Sequence, residues 1–209
     1  MAGARIPELD IRGDHPIRVV VCIDQAALRR RLVVALEEHA DLIVVGEESD
    51  SRRVGFVARE LAPDAVLLDM AAEPLTGPEA VTHVRGHAPT SRVAVVGTSA
   101  DEAGALATIR AGAVGFVSRD LVGQAAAVVR AVNAGVVALP PLVAALLRDE
   151  LVGGAGSRPG QLDLRAAAVL DHVAGGRTYA VAADALGIAP ATARNLVANA
   201  VERLARAAF

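Results

Sequence analysis

Lysine is missing from this sequence; all 21 basic residues are arginine. No position can supply an ammonium group, so a P-loop lysine has no candidate. Tryptophan is missing too, and one tyrosine with three phenylalanines leaves little surface for stacking single-stranded bases. The lone Cys22 excludes an internal disulfide and fits a reducing compartment. No apolar run approaches the length of a membrane-spanning helix. Residues 1–16 mix Arg, Glu and Asp and lack the apolar stretch of a signal peptide, so a cytoplasmic protein without membrane contact is expected. A net charge of −3 argues against a wholly basic coat for nucleic acid, but leaves room for a local basic face.

What the chain has in quantity is apolar residues, 53% of its 209 positions. That supports a sizeable core, with one domain of ordinary size and a small second one. From Ile17 onward, strand-like runs over 18–23, 42–46, 65–69, 92–96 and 114–117 alternate with helical spacing over 25–39, 51–61, 77–87, 101–111 and 121–134. The strands are Val, Ile and Leu runs without polar alternation, as in sheets covered on both faces. Five such units predict an α/β fold with a doubly wound parallel sheet in the flavodoxin-like order 2-1-3-4-5. That order brings the ends of the first and third strands together, and with them Asp24 and Asp69. Gly97, Thr98 and Ser99 follow the fourth strand, and Ser118 and Arg119 follow the fifth. Two carboxylates, hydroxyls and one guanidinium could hold a divalent cation and an oxyanion. Strand-end polar residues can also simply cap helices, and Asp120 reads as such a cap.

After Gly135 the pattern changes. A helix is expected over 142–151, and a flexible linker over 153–160 carries the domain boundary. Three short helices follow, over 164–174, 179–186 and 191–207, and Gly187 to Pro190 joins the last two as a helix-turn-helix. On the third, Ala193, Val197, Ala200 and Leu204 share one side, while Arg194, Asn195, Ala198, Asn199 and Glu202 face largely the other way. Arginine can pair with guanine and asparagine with adenine in the major groove. Five arginines against four acids in this segment make a weak electrostatic footprint, and solvated helix residues would look the same. The domains expected are an extension over 1–16, an α/β domain over 17–138, a connecting helix and linker over 139–160, and an all-α domain over 161–209.

Other patterns carry less. His83 and His87 stand four apart, but Gly86 intervenes and no Cys or carboxylate completes a metal set, so an exposed helix end is expected. The glycine-rich run at 153–160 lacks the flanks of a dinucleotide loop. No Ser, His and Asp arrangement supports a hydrolase, and no enzyme activity is expected.

The order and spacing of several pieces resemble a response regulator of the NarL/FixJ type, with a receiver domain followed by a LuxR-type helix-turn-helix. The pieces are Val44-Val45-Gly46-Glu47, Ala62-Pro63-Asp64-Ala65-Val66-Leu67-Leu68-Asp69, Arg110-Ala111-Gly112-Ala113 and Gly115-Phe116. In the last domain they are Val169-Leu170, Ala174-Gly175-Gly176 and Ala182-Ala183-Asp184-Ala185-Leu186-Gly187-Ile188. The resemblance implies that Asp69 is the phosphoacceptor position and Phe116 the switch aromatic. It also implies a magnesium ion held by an acidic pair after the first strand. Here the pair reads Ile23-Asp24, which leaves a weak site at Asp24 and Asp69 and no required cofactor. Gly97 stands where the family carries Ser or Thr, with Thr98 one residue on, and Arg119 replaces the family's lysine. Glu73 stands where a proline is common.

These departures point to a degenerate receiver, with Ile23, Gly97, Thr98 and Arg119 forming a remodelled phosphate pocket controlled by a ligand, dimerisation or a partner protein. The function expected is a DNA-binding transcriptional regulator acting as a homodimer on double-stranded DNA. The alternatives are a conventionally phosphorylated regulator and an interaction module that no longer reads DNA. Arg194, Asn195 and Asn199 are the expected base-facing residues, with Thr192 and Arg203 on phosphates. The family's usual fourth helix has no counterpart after the third.

Overall fold

The computed structural model describes residues 15–71, 73–98, 102–153 and 161–207. The expected extension lies almost wholly outside them, as does the linker beyond Gly153. Five strands, β1 (Ile17–Cys22), β2 (Leu42–Glu48), β3 (Ala65–Asp69), β4 (Arg92–Gly97) and β5 (Gly115–Ser118), form one parallel sheet in the order β2-β1-β3-β4-β5. Between them run α1 (Ala26–Glu37), α2 (Val54–Leu61), α3 (Gly77–His87) and α4 (Glu102–Ala111), and α5 (Ala125–Asn133) follows β5.

The missing polar alternation has a direct cause: successive side chains enter different cores. Val19, Val21, Leu67, Ala94 and Val96 pack with α1 and α5, whereas Val20, Cys22, Val66, Leu68, Val93 and Val95 pack with α2, α3 and α4. The α3 boundary is chemically marked. The Glu79 carboxylate accepts from the Thr76 N–H at 2.9 Å and from its hydroxyl at 2.7 Å, and Pro78 sits in the first turn.

Two expectations need correction. Residues 121–134 do not form one helix: a 3-10 segment over Arg119–Gln124 precedes α5, and Leu121 has non-helical angles, φ −118° and ψ 45°. Ser118, not Asp120, is the cap there, its hydroxyl accepting the Asp120 N–H at 3.4 Å. The second helix likewise starts at Val54, because 51–53 form a turn. The buried Ser51 hydroxyl accepts from Leu75 N–H at 2.9 Å, and Asp50 accepts from Arg52 N–H at 2.9 Å.

Past the sheet come α6 (Pro141–Gly153), α7 (Gln161–Ala174), α8 (Tyr179–Ala185) and α9 (Pro190–Ala207). Helix α6 lies on α4 and α7, so its Val143, Ala144, Leu147 and Leu151 join the core of one sheet face to that of the last three helices. Arg110 on α4 pairs with Glu150 on α6, and the Tyr179 hydroxyl donates to the Val137 carbonyl at 2.8 Å. Gly187, with φ +64°, makes the turn between α8 and α9 that a side chain would strain.

Candidate functional site

Asp69 closes β3 with no solvent exposure. Its Oδ1 accepts the Ala71 N–H at 2.9 Å and a hydrogen bond from Arg119 Nη2. Oδ2 is buried without a partner among the described residues, and so is Arg119 Nε. Burial pushes the carboxyl above the usual carboxylate range. The Ala71 N–H and the guanidinium pull the other way, and the negative charge of Asp24 adds to the rise. The strand order has therefore brought a buried acid and an arginine 50 positions apart in sequence into one ion pair.

Asp24 belongs to the same crevice only at its rim. It is exposed, and its Oδ1 accepts from Gln25 N–H at 2.5 Å. Ile23 was expected to line the pocket, but its side chain lies in the α1/α5 core at zero exposure; its backbone carbonyl accepts from Arg29 Nη1 at 2.6 Å and its N–H donates to the Glu48 carbonyl at 3.0 Å. Strand parity explains this, since Ile23 follows Val19 and Val21. Nor does a third acid complete a cation site, for the described residues hold no group of three Asp, Glu, His or Cys suited to a metal. Glu48, at the end of β2, accepts from the Ser49 and Asp50 N–H groups at 2.8 and 3.1 Å and pairs with Arg53 at 3.2 Å.

Gly97 has a steric role that its sequence position does not disclose. A Cβ there would lie 2.9 Å from Met70 Sδ and 3.1 Å from Phe116 Cζ. Phe116 is turned inward at 4% exposure, packed over that glycine, and Met70 fills the space beside it. Thr98 follows as a half-buried residue at the strand end.

The last helix buries Ala193, Leu196, Val197, Ala200, Val201 and Ala205, which leaves Thr192, Asn195, Asn199 and Arg203 exposed and Arg194 half-buried. Arg203, expected on a phosphate, is instead paired with Asp163 of α7. Asn195, Asn199 and Glu202, though exposed, do not stand clear of the rest of the fold. They line a cleft of about 350 Å3 whose opposite wall is the edge of the sheet domain around β4 and β5. Arg85 and Arg92, which sequence reasoning passed over, line that wall. Neither sits in a motif, and the packing of α6 and α9 on α4 brings α9 near them.

Residues 19–132, more than half of the chain, match the family described as the response regulator receiver domain. The chain belongs to this family. Beyond the receiver, the chain is similar to the Bacillus subtilis transcriptional regulatory protein LiaR, at 27% identity over 191 residues that cover 90% of each chain. It is 29% identical to an uncharacterised B. subtilis transcriptional regulatory protein, YxjL, over 104 residues, spanning about half of this chain and 48% of that one. Among solved structures, the response regulator ChrA of a haem-sensing two-component system covers 92% of this receiver chain at 25% identity, with a TM-score of 0.53. The C-terminal helices, with α8 and α9 joined at Gly187, are consistent with a helix-turn-helix. No helix among its described residues is long and apolar enough to cross a membrane.

Proposed function

We propose that this chain is a DNA-binding transcriptional regulator whose receiver is not switched by phosphorylation of Asp69. The observation that carries the reading is the Arg119 guanidinium held on the buried Asp69 carboxylate. A carboxylate nucleophile needs a free lone pair facing the incoming phosphorus. Here Oδ1 is committed to the Ala71 N–H and Arg119, and Oδ2, without a partner among the described residues, is buried away from solvent and from an incoming phosphodonor. Arginine keeps the positive charge of a lysine but spreads it over a rigid plane, so its place at a tight phosphate site is not equivalent. A magnesium ion fits this pocket poorly. Asp24 is turned to the Gln25 N–H, no third acid adjoins among the described residues, and a guanidinium already neutralises Asp69.

The regulator reading draws on the kinship with LiaR across both parts of the chain, and on the exposed Thr192, Asn195 and Asn199 of α9. A homodimer on two half-sites is the form such a helix-turn-helix takes. One observation favours a second reading, an interaction module that no longer reads DNA: Asn195 and Asn199 face the receiver.

Two experiments test these readings. Incubation of the full chain with magnesium and acetyl phosphate, followed by intact mass measurement, is expected to leave the mass unchanged; a stoichiometric phosphate adduct on Asp69 overturns phosphorylation independence. Selection of bound genomic fragments with purified protein is expected to enrich a palindromic site. No enrichment overturns the DNA reading in favour of the interaction module.

A further inference from the structure

The cleft between the sheet edge and α9 has the chemistry of a binding site. Its volume, about 350 Å3, is at the small end of ligand pockets. Two guanidiniums reach it without a carboxylate partner. Arg85, in the last turn of α3, donates only to the Ala111 carbonyl, at 3.3 Å, and the Arg92 side chain has no hydrogen bond or ion pair among the described residues. The place of Arg85 is prepared by Gly112, whose φ of +108° already demands glycine and whose missing Cβ is the space that the guanidinium occupies. On the facing wall, the amides of Asn195 and Asn199 are likewise without an internal hydrogen bond among the described residues. The one acid of the lining, Glu202, is bound to Arg206 at 2.7 Å. Apolar surface from Val114, Val136 and Ala198 lies between the polar groups.

Two unopposed positive charges call for a dianion, and guanidinium pairs with phosphate oxygens in a bidentate manner. The amides add neutral donors, and the valines suit a small apolar body. We propose that this cleft binds a small phosphate monoester. Its phosphate lies on Arg85 and Arg92 and its body against Val114 and Val136, while Asn195 and Asn199 close over it from α9. A nucleic-acid duplex is too large for the space, so the ligand is a free small molecule. Bound to both walls, it holds α9 against the receiver. If that helix also reads DNA, ligand and DNA compete for the same residues, and each weakens the other by one common factor. The binding itself does not depend on the DNA reading; the competition does.

The test is calorimetric titration of the full chain with phenyl phosphate, with inorganic phosphate as the head group alone. Phenyl phosphate is expected to bind, with inorganic phosphate and the R85Q/R92Q variant each weaker by about tenfold or more. The R52Q variant, outside the cleft lining, where Arg52 pairs with Asp50, is expected to bind as the unaltered chain does. Because Arg85 also touches the fold, R92Q alone and N195A/N199A supply variants at exposed positions, each expected to lose affinity. No binding of phenyl phosphate, or equal affinity in R92Q and N195A/N199A, overturns the proposal. Fragment selection on the same preparation separates the two claims. Phenyl phosphate binding without DNA enrichment keeps the site and removes the competition; DNA enrichment without phenyl phosphate binding removes both the site and the competition and leaves the DNA reading standing.

Discussion

Arg119 donates to Oδ1 of Asp69, a carboxylate that has no exposure of its own, while the arginine keeps its side chain 23% exposed. The pair is thus anchored at its acidic end and accessible at its basic end. Removing the guanidinium leaves an unpaired buried carboxylate, which is the costly way to break such a pair.

Arg119→Met is therefore expected to destabilise the fold by on the order of 3 kcal/mol near pH 8. The carboxyl is already raised, and losing Arg119 removes one of the groups holding it down. A raised carboxyl binds its proton more tightly in the native than in the unfolded state, so stability is lost as pH climbs from the ordinary carboxylate range through the native value. The deficit of Arg119→Met should shrink as pH falls, and Asp69→Asn in the same chain should recover most of it. Urea denaturation at pH 5 and pH 8 measures both; an equal loss at the two values would count against the buried-charge account.

Cys22 is fully buried next to this acid, and burial first, then the negative charges of Glu48, Asp69 and Asp50, push its thiol up to about 12. Only about one thiol in ten thousand is then ionised at pH 8, and only the thiolate is a good nucleophile. Native protein is expected to resist iodoacetamide at pH 8 at least about a hundredfold better than protein in urea. Mass measurement over time reads the ratio; comparable rates in the two states would contradict the burial.

Much of this arrangement is legible in the residues, for identifiable reasons. Strand β3 over 65–69 and helix α3 over 77–87 are read at their bounds because a fully apolar run ends on an acid, and because a helix period starts beside Thr76, Pro78 and Glu79. The meeting of Asp69 with the end of β5 follows from strand order alone. The start of α5 is misread because Leu121 and Val122 keep a helical period through a segment that turns at Ser118. The cleft is invisible in sequence, since it depends on α6 and α9 packing upon α4, contacts between surfaces that neither periodicity nor motif specifies.

Sequence comparison invites Ile23→Asp as a repair of the acidic pair. The structure predicts the opposite of a repair. Ile23 has zero exposure in the α1/α5 core, so an aspartate there places a carboxylate among Leu28, Leu32 and Val96. The loss of apolar burial and the desolvation of the acid together should cost on the order of 4 kcal/mol. Ile23→Val, which keeps the shape, should cost about 1 kcal/mol. Thermal or urea unfolding of both variants decides: an aspartate variant as stable as the valine one would mean that the side chain reaches solvent.

The single tyrosine ties the C-terminal helices to the receiver. Tyr179 opens α8, burial raises its phenol above its ordinary value, and its hydroxyl donates to the carbonyl of Val137, a residue at 2% exposure just beyond α5. Tyr179→Phe keeps the ring and removes only that donor, leaving a buried carbonyl without it. The expected cost is about 1–2 kcal/mol. Because the bond joins α8 to the segment after α5, whose Ala138 bridges only the edge strand β5 and does not reach β3, the loss should be local. Backbone amides of α8 should exchange with solvent roughly tenfold faster, while those of β3 keep their protection. A second variant, Glu150→Gln, weakens the pair with Arg110 that joins α6 to α4 and should shift exchange in α6 in the same sense. Hydrogen exchange followed by mass spectrometry resolves these segments. Uniform acceleration across β3 and α8 would show instead that the two parts of the chain unfold as one unit, and that this hydroxyl contributes to global rather than local stability.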